Sequence, residues 1–232
     1  MIEPISMQYV AAHATKAVLD LYNEVDIPAP TPGMPIAPLG PLLNRLNVTH
    51  EAIEALTAHK AEAFLRNRSV LGIDGLGLTG NLTERLAGFL YASGRVARLF
   101  VNSDDPVVRR RFSIAHELGH FVMHFRPRLS RWREALESDQ AVPAALYDAF
   151  TLPEGEEEAE GDSQEFDRQE READAFAAAL LMPLDIVQER ANALKSVFLG
   201  DSLIDRLAME MLVSQAAMRR RLHALTPIGR KV

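Results

Sequence analysis

Apolar residues recur every three or four positions over residues 4–24, where Val10, Ala14, Ala17, Val18 and Leu21 share one side of a helix. The spacing predicts an amphipathic helix. Pro28, Pro30, Pro32, Pro35, Pro38 and Pro41 follow, and so much proline reads as a stiff, extended connector. Thr49 with Glu51 and Glu54 marks a helix start; a helix running to about Arg66 would turn Ile53, Leu56, Ala63 and Phe64 inward. The period then changes. Residues 69–73, 88–92 and 96–101 carry the β-branched and aromatic residues of strands, with Ser93-Gly94 as a hairpin turn between the last two. Asn102 to Pro106 forms a turn and cap before an apolar helix containing Phe112, Ile114, Ala115, Leu118, Phe121 and Val122. Residues 130–150 are expected to form a helix pair around Trp132 and Tyr147. Good helix formers from Gln169 onward stop before Pro183, and residues 185–225 read as helical, with Ser202 and Ser214 as caps.

The fold class expected is α+β. It is mostly helical, with a sheet of about three strands packed on the apolar helix and a C-terminal segment of helix–turn–helix character. Three stretches are expected: an N-terminal helical region with its proline-rich connector (1–68), a core (69–190) and a C-terminal helical segment (191–232).

The apolar helix carries the chemistry. Residues 116–120 read His-Glu-Leu-Gly-His. One helical turn places His116 and His120 on the same face, where two imidazoles can share one metal ion. Glu117 points to the side, within reach of a water on that ion, as a general base must be. A buried helix has to satisfy such polar groups, and a metal does so at once.

A catalytic zinc site usually takes a third protein ligand. The chain has no Cys, so that ligand is His, Asp or Glu. Glu170 is the first choice: Asp174 lies one turn beyond it as the carboxylate that orients a ligating His, and small alanines let a second helix approach. Glu172, on the opposite helical face, is the alternative. His124, one turn past His120, is a candidate to stabilise the transition state, with Tyr147 as another; His124 as a helix C-terminal cap is the competing reading. His13, His50, His59 and His223 show no metal spacing.

Charge changes the picture in one place. The net charge is −7, yet residues 151–170 hold nine acids and one base, so the remainder is close to neutral. The acidic run, about 151–167, reads as a solvated loop near the core, with a gate for substrate as the functional alternative. Lys195 to Val232 is locally basic, and Arg219-Arg220-Arg221 suggests phosphate contacts, which keeps direct DNA binding as the weaker rival function. No apolar run is long enough to span a membrane, and no secretory leader is evident, so a cytoplasmic location is expected.

The run from Arg111 to His124, the block from Glu170 to Pro183 and the stretch from Leu207 to Leu222 together resemble the ImmA/IrrE family of bacterial metallopeptidases. The resemblance covers roughly residues 70–225 in order. It implies a zincin-like minimal core, one Zn2+ per chain (or another divalent ion) and Glu170 as third ligand. It further implies an endopeptidase that cleaves a helix-turn-helix transcriptional repressor, derepressing stress-response or mobile-element genes. The alternative is a protein that binds DNA or a repressor without cutting it. In peptidases of this kind a sheet edge beside the cleft can pair with extended substrate. The chain departs from the family in the roughly fifty residues between His120 and Glu170, where residues 126–167 are extra.

Overall fold

The computed structural model describes residues 7–68, 83–92, 97–128, 146–148 and 160–225. Helix α1 (Met7–Val25) buries Val10, Ala14, Val18, Leu21, Tyr22 and Val25 along one stripe, the periodicity read from the sequence. The proline stretch makes a small turn, closed by hydrogen bonds between Thr31 and Met34, and leads into α2 (Leu39–Arg45).

The helix expected from Thr49 to Arg66 is instead two elements. Strand β1 (Val48–Ile53) comes first, then α3 (Ala58–Asn67). The true N-cap is Thr57, whose hydroxyl accepts from the Lys60 amide at 3.2 Å. Helix-forming residues in Glu51-Ala52-Ile53 yield to tertiary pairing, because β1 lies parallel against β3 (Ala97–Asn102) from Val48↔Ala97 to Ile53↔Asn102. Ladder bonds won there outweigh a weak local preference.

β3 pairs antiparallel with β2 (Gly88–Ala92), and β2 pairs antiparallel with the short β4 (Leu146–Asp148), giving the order β1-β3-β2-β4. The expected small sheet is therefore three main strands with a three-residue fourth. A strand stands at 146–148 where a helix pair was expected; Trp132, the strand expected at 69–73 and the turn at Ser93-Gly94 lie outside the described residues. Both sheet faces are covered. Leu90, Leu99 and Val101 join the main core, while Phe89, Tyr91 and Phe100 pack with Leu56, Ala61 and Leu65 in a second cluster.

Helix α4 (Val107–His120) crosses beneath the sheet and runs on into a π-helical turn, Phe121–Phe125. It packs against α5 (Glu160–Leu181), which also contacts α1. The α4–α5 crossing is tight: a Cβ on Gly119 would lie 3.1 Å from the Ala173 Cα. α5 starts at Glu160, so the second half of the expected acidic loop is helix; residues 151–159 lie outside the described residues.

The segment expected to be helical from 185 to 225 is three helices: α6 (Leu184–Leu194), α7 (Asp201–Met211) and α8 (Gln215–Leu225). α7 ends on Leu212 in the left-handed conformation, φ 52°. Ser214 caps α8 by accepting from the Ala217 amide at 3.1 Å. Ser202 does not cap α7; Gly200 holds that position, and the Ser202 hydroxyl donates back to the Leu199 carbonyl at 2.7 Å. One apolar core draws on all three stretches expected from sequence, with Leu21, Leu118, Phe176, Leu207 and Met218 among its members.

Candidate metal centre

Helical periodicity on α4 brings the two imidazoles together as the spacing requires. The His116 and His120 Nε2 atoms stand 3.0 Å apart, with the rings edge to face at 74°. α5 supplies the third group. Glu170 Oε2 lies 3.5 Å from His116 Nε2, and its Oε1 lies 3.1 Å from His120 Nε2. One ligand atom from each residue falls within 4.8 Å of the others. Asp174, one turn on, places Oδ1 at 3.0 Å from His116 Nδ1.

These residues fit a divalent metal. Ligands about 2.0–2.1 Å from one ion in tetrahedral array stand roughly 3.3 Å apart, and the three separations here bracket that distance. The carboxylate of Asp174 fixes the tautomer. With Nδ1–H donated to Asp174, the His116 Nε2 lone pair faces His120 and Glu170.

Electrostatics favour a cation at this point. Burial opposes protonation of His116, but hydrogen bonds to Asp174 and Glu170, aided by the charges of Glu117 and Glu170, outweigh it and push its pKa up to about 10. Glu170 is the reciprocal case: burial would raise it, yet the hydrogen bonds from His116 and His120 bring it down to about 2.

Glu117 is 5% exposed and lines a cleft of about 560 Å³ with His116, Glu170, Gly88, Phe112 and Arg220. Gly88, at the start of β2, gives its carboxylate room: a Cβ there would lie 2.5 Å from Oε1. Sequence reasoning missed Gly88. A glycine opening a strand ahead of the metal helix was the available signal.

Glu172 and His124 are turned elsewhere. Glu172 is 2% exposed, on the face of α5 opposite Glu170, near Arg168 Nη1 at 3.4 Å and His124 Nε2 at 3.6 Å. His124 does not reach the cleft. The π turn, with its wider i→i+5 spacing, rotates it off the line through His116 and His120. Burial first, then the nearby His120, Arg128 and Arg168, push its pKa down to about 4, so it is neutral at physiological pH. Neither the oxyanion role nor the cap expected for it matches this placement beside Glu172. Tyr147 sits on β4 opposite Tyr91; only its backbone is described. His13, His50, His59 and His223 are exposed, although His13 Nδ1 comes within 3.9 Å of Glu172.

The three consecutive arginines do not make a common basic face. Arg219 pairs with Asp201 at 2.8 Å, and Arg221 donates to the Met182 carbonyl at 2.7 Å. Arg220 turns into the cleft. Helix α8, which sequence reads as the second helix of a helix–turn–helix, forms a wall of the cleft through Ala217 and Arg220, together with its cap Ser214. Among the described residues no helix is long and apolar enough to cross a membrane.

Residues 82–142 match the family model described as Peptidase_M78, IrrE N-terminal-like domain. The match contains His116, Glu117 and His120 and supports membership of the ImmA/IrrE family of metallopeptidases. No curated protein matches the chain.

Proposed function

We propose that this chain is a metallopeptidase of the ImmA/IrrE family: a zinc-dependent endopeptidase acting in the cytoplasm on a regulatory protein, a helix-turn-helix transcriptional repressor. Cleavage would derepress stress-response or mobile-element genes. The observation that carries the reading is the convergence of His116, His120 and Glu170, with His116, Glu170 and Glu117 lining the cleft. A repressor is the substrate class that the family resemblance implies.

His116, His120 and Glu170 would hold a zinc or other divalent ion, which would supply Lewis-acid polarisation of a carbonyl and a bound water of lowered pKa. The remaining work belongs to the chain. Glu117, at the cleft wall, accepts a proton from the attacking water on a carboxylate oxygen and returns it to the leaving amine. Asp174 keeps the His116 ring in its ligating tautomer. Gly88 leaves the Glu117 carboxylate undisplaced. Main-chain pairing of an extended substrate with a sheet edge beside the cleft is what the family resemblance implies.

The test is a comparison of new protein N-termini, mapped by mass spectrometry, in cells carrying the wild-type chain or Glu117→Gln. Termini inside helix-turn-helix repressors that appear only with the wild type are the expected result. No Glu117-dependent terminus in any protein would leave the reading without support.

A further inference from the structure

The cleft does not end at the metal ligands. Past Phe112, Asp174, Ala217 and Arg220, which border both spaces, it opens into a second hollow of about 350 Å³. The floor is small and apolar, built of Ala175, Ala178, Ala217 and Met182. Two exposed cations, Arg171 from α5 and Arg220 from α8, stand at its sides. Neither forms an ion pair with another described residue. The other cation at the hollow, Arg221, is already committed to the Met182 carbonyl. The one acid there, Asp174, accepts from His116, so its charge is directed to the metal site.

We propose that this hollow is an acidic-residue subsite: it seats a glutamate or aspartate of the protein substrate to one side of the scissile bond, with Arg171 and Arg220 on its carboxylate. The proposal rests on the peptidase reading above and deepens it by naming a substrate feature. An alanine floor accepts the aliphatic stem of such a side chain, and guanidinium groups match a carboxylate bidentately. Both cations lie on helices that also carry the site, α5 holding Glu170 and α8 lining the cleft, so the subsite is built on the same scaffold as the candidate ligands. A phosphate backbone fits less well. Nucleic acid needs a track of cations, and the neighbouring Arg219 and Arg221 are occupied by Asp201 and the Met182 carbonyl. What remains is a pair of charges flanking a dent.

The experiment uses the full zinc-loaded chain carrying Glu117→Gln, which holds peptides without cutting them. Binding of fluorescent extended peptides with Glu in their flanks is compared with the same peptides carrying Gln or Lys, by anisotropy at low and high salt. The expected result is about tenfold tighter binding of the Glu peptides at low salt, shrinking with added salt. That preference should vanish in Arg171→Ala/Arg220→Ala and turn toward Lys in Arg171→Glu/Arg220→Glu, with zinc content unchanged. Equal binding of all peptides overturns the proposal, as does a preference that survives loss of both arginines. Duplex DNA binding through the same two arginines, more tightly than the Glu peptides, also overturns it. The two readings fail separately. If the wild type cuts Glu and Gln peptides equally, the subsite falls and the peptidase stands; if Glu peptides bind through these arginines but nothing is ever cut, the subsite stands and the peptidase falls.

Discussion

Gly88 and Glu117 are in direct apposition: a Cβ on Gly88 would lie 2.5 Å from Oε1 of Glu117 and 3.0 Å from its Cγ. The strand and the helix carrying His116 and His120 therefore meet without an intervening side chain, and the carboxylate is held at the wall of the cleft that His116 and Glu170 also line. Gly88→Ala is expected to fold, because the displaced atoms belong to a side chain rather than a backbone. Metal content should stay at the wild-type level. Turnover on any peptide the wild type cuts should fall by roughly a hundredfold, the usual cost of a displacement near 1 Å at a reacting group. Wild-type kcat in this variant would show that the glycine does not position the base.

Glu170 and Glu172 separate cleanly by metal content. Glu170→Gln should purify without stoichiometric metal, since it removes the carboxylate charge whose two oxygens face the two imidazoles. Glu172→Gln should keep its metal but lose stability by about 1–3 kcal/mol, the usual cost of unbalancing a buried hydrogen-bonded acid. Elemental analysis and denaturant midpoints measured in parallel decide it. The reverse pattern would move the third ligand two residues along.

Metal binding should depend steeply on pH. A His pKa raised in the folded state stabilises the metal-free fold fully below the ordinary imidazole value near 6.5. That stabilisation is lost as pH rises through about 10, the value His116 reaches. A metal must displace this proton, so affinity should rise about tenfold per pH unit through that window. Calorimetry in buffers of different ionisation enthalpy should register about one proton released per ion bound. Asp174→Asn should weaken binding ten- to a hundredfold by unfixing the tautomer. A flat pH profile would count against the site as drawn.

The α4–α5 crossing is the structural support of the centre. Gly119→Ala would bring a Cβ to 3.1 Å from the Ala173 Cα and from the Phe176 Cβ, so the helices must separate. A loss of about 1–3 kcal/mol is expected from overpacking of this kind. Because α4 carries both imidazoles and α5 carries Glu170, metal affinity should fall with it. Unfolding midpoints with and without metal test the coupling; a variant less stable but binding metal normally would show that the crossing does not set the ligand geometry.

His116, Glu117 and His120 were legible in the sequence because their relation is local: five residues on one helix have one geometry, whatever surrounds them. The amphipathic stripe of α1 and the capping role of Ser214 were legible for the same reason. Where the outcome depends on a partner distant in the chain, local rules ran out. Residues 48–53 became a strand only because β3 offered an edge. Helix α8 carries arginines suited to DNA, yet packing turned Arg220 into the cleft. His124 has ligand spacing, and the π turn rotates it toward Glu172. Periodicity alone separates Glu170 from Glu172 by face, but which face meets the imidazoles is decided by how α5 packs through Ala173 against Gly119 of α4. Residue order sets the chemistry each helix carries. Packing sets which of those groups share a site, because contact between helices far apart in the chain does not follow from spacing.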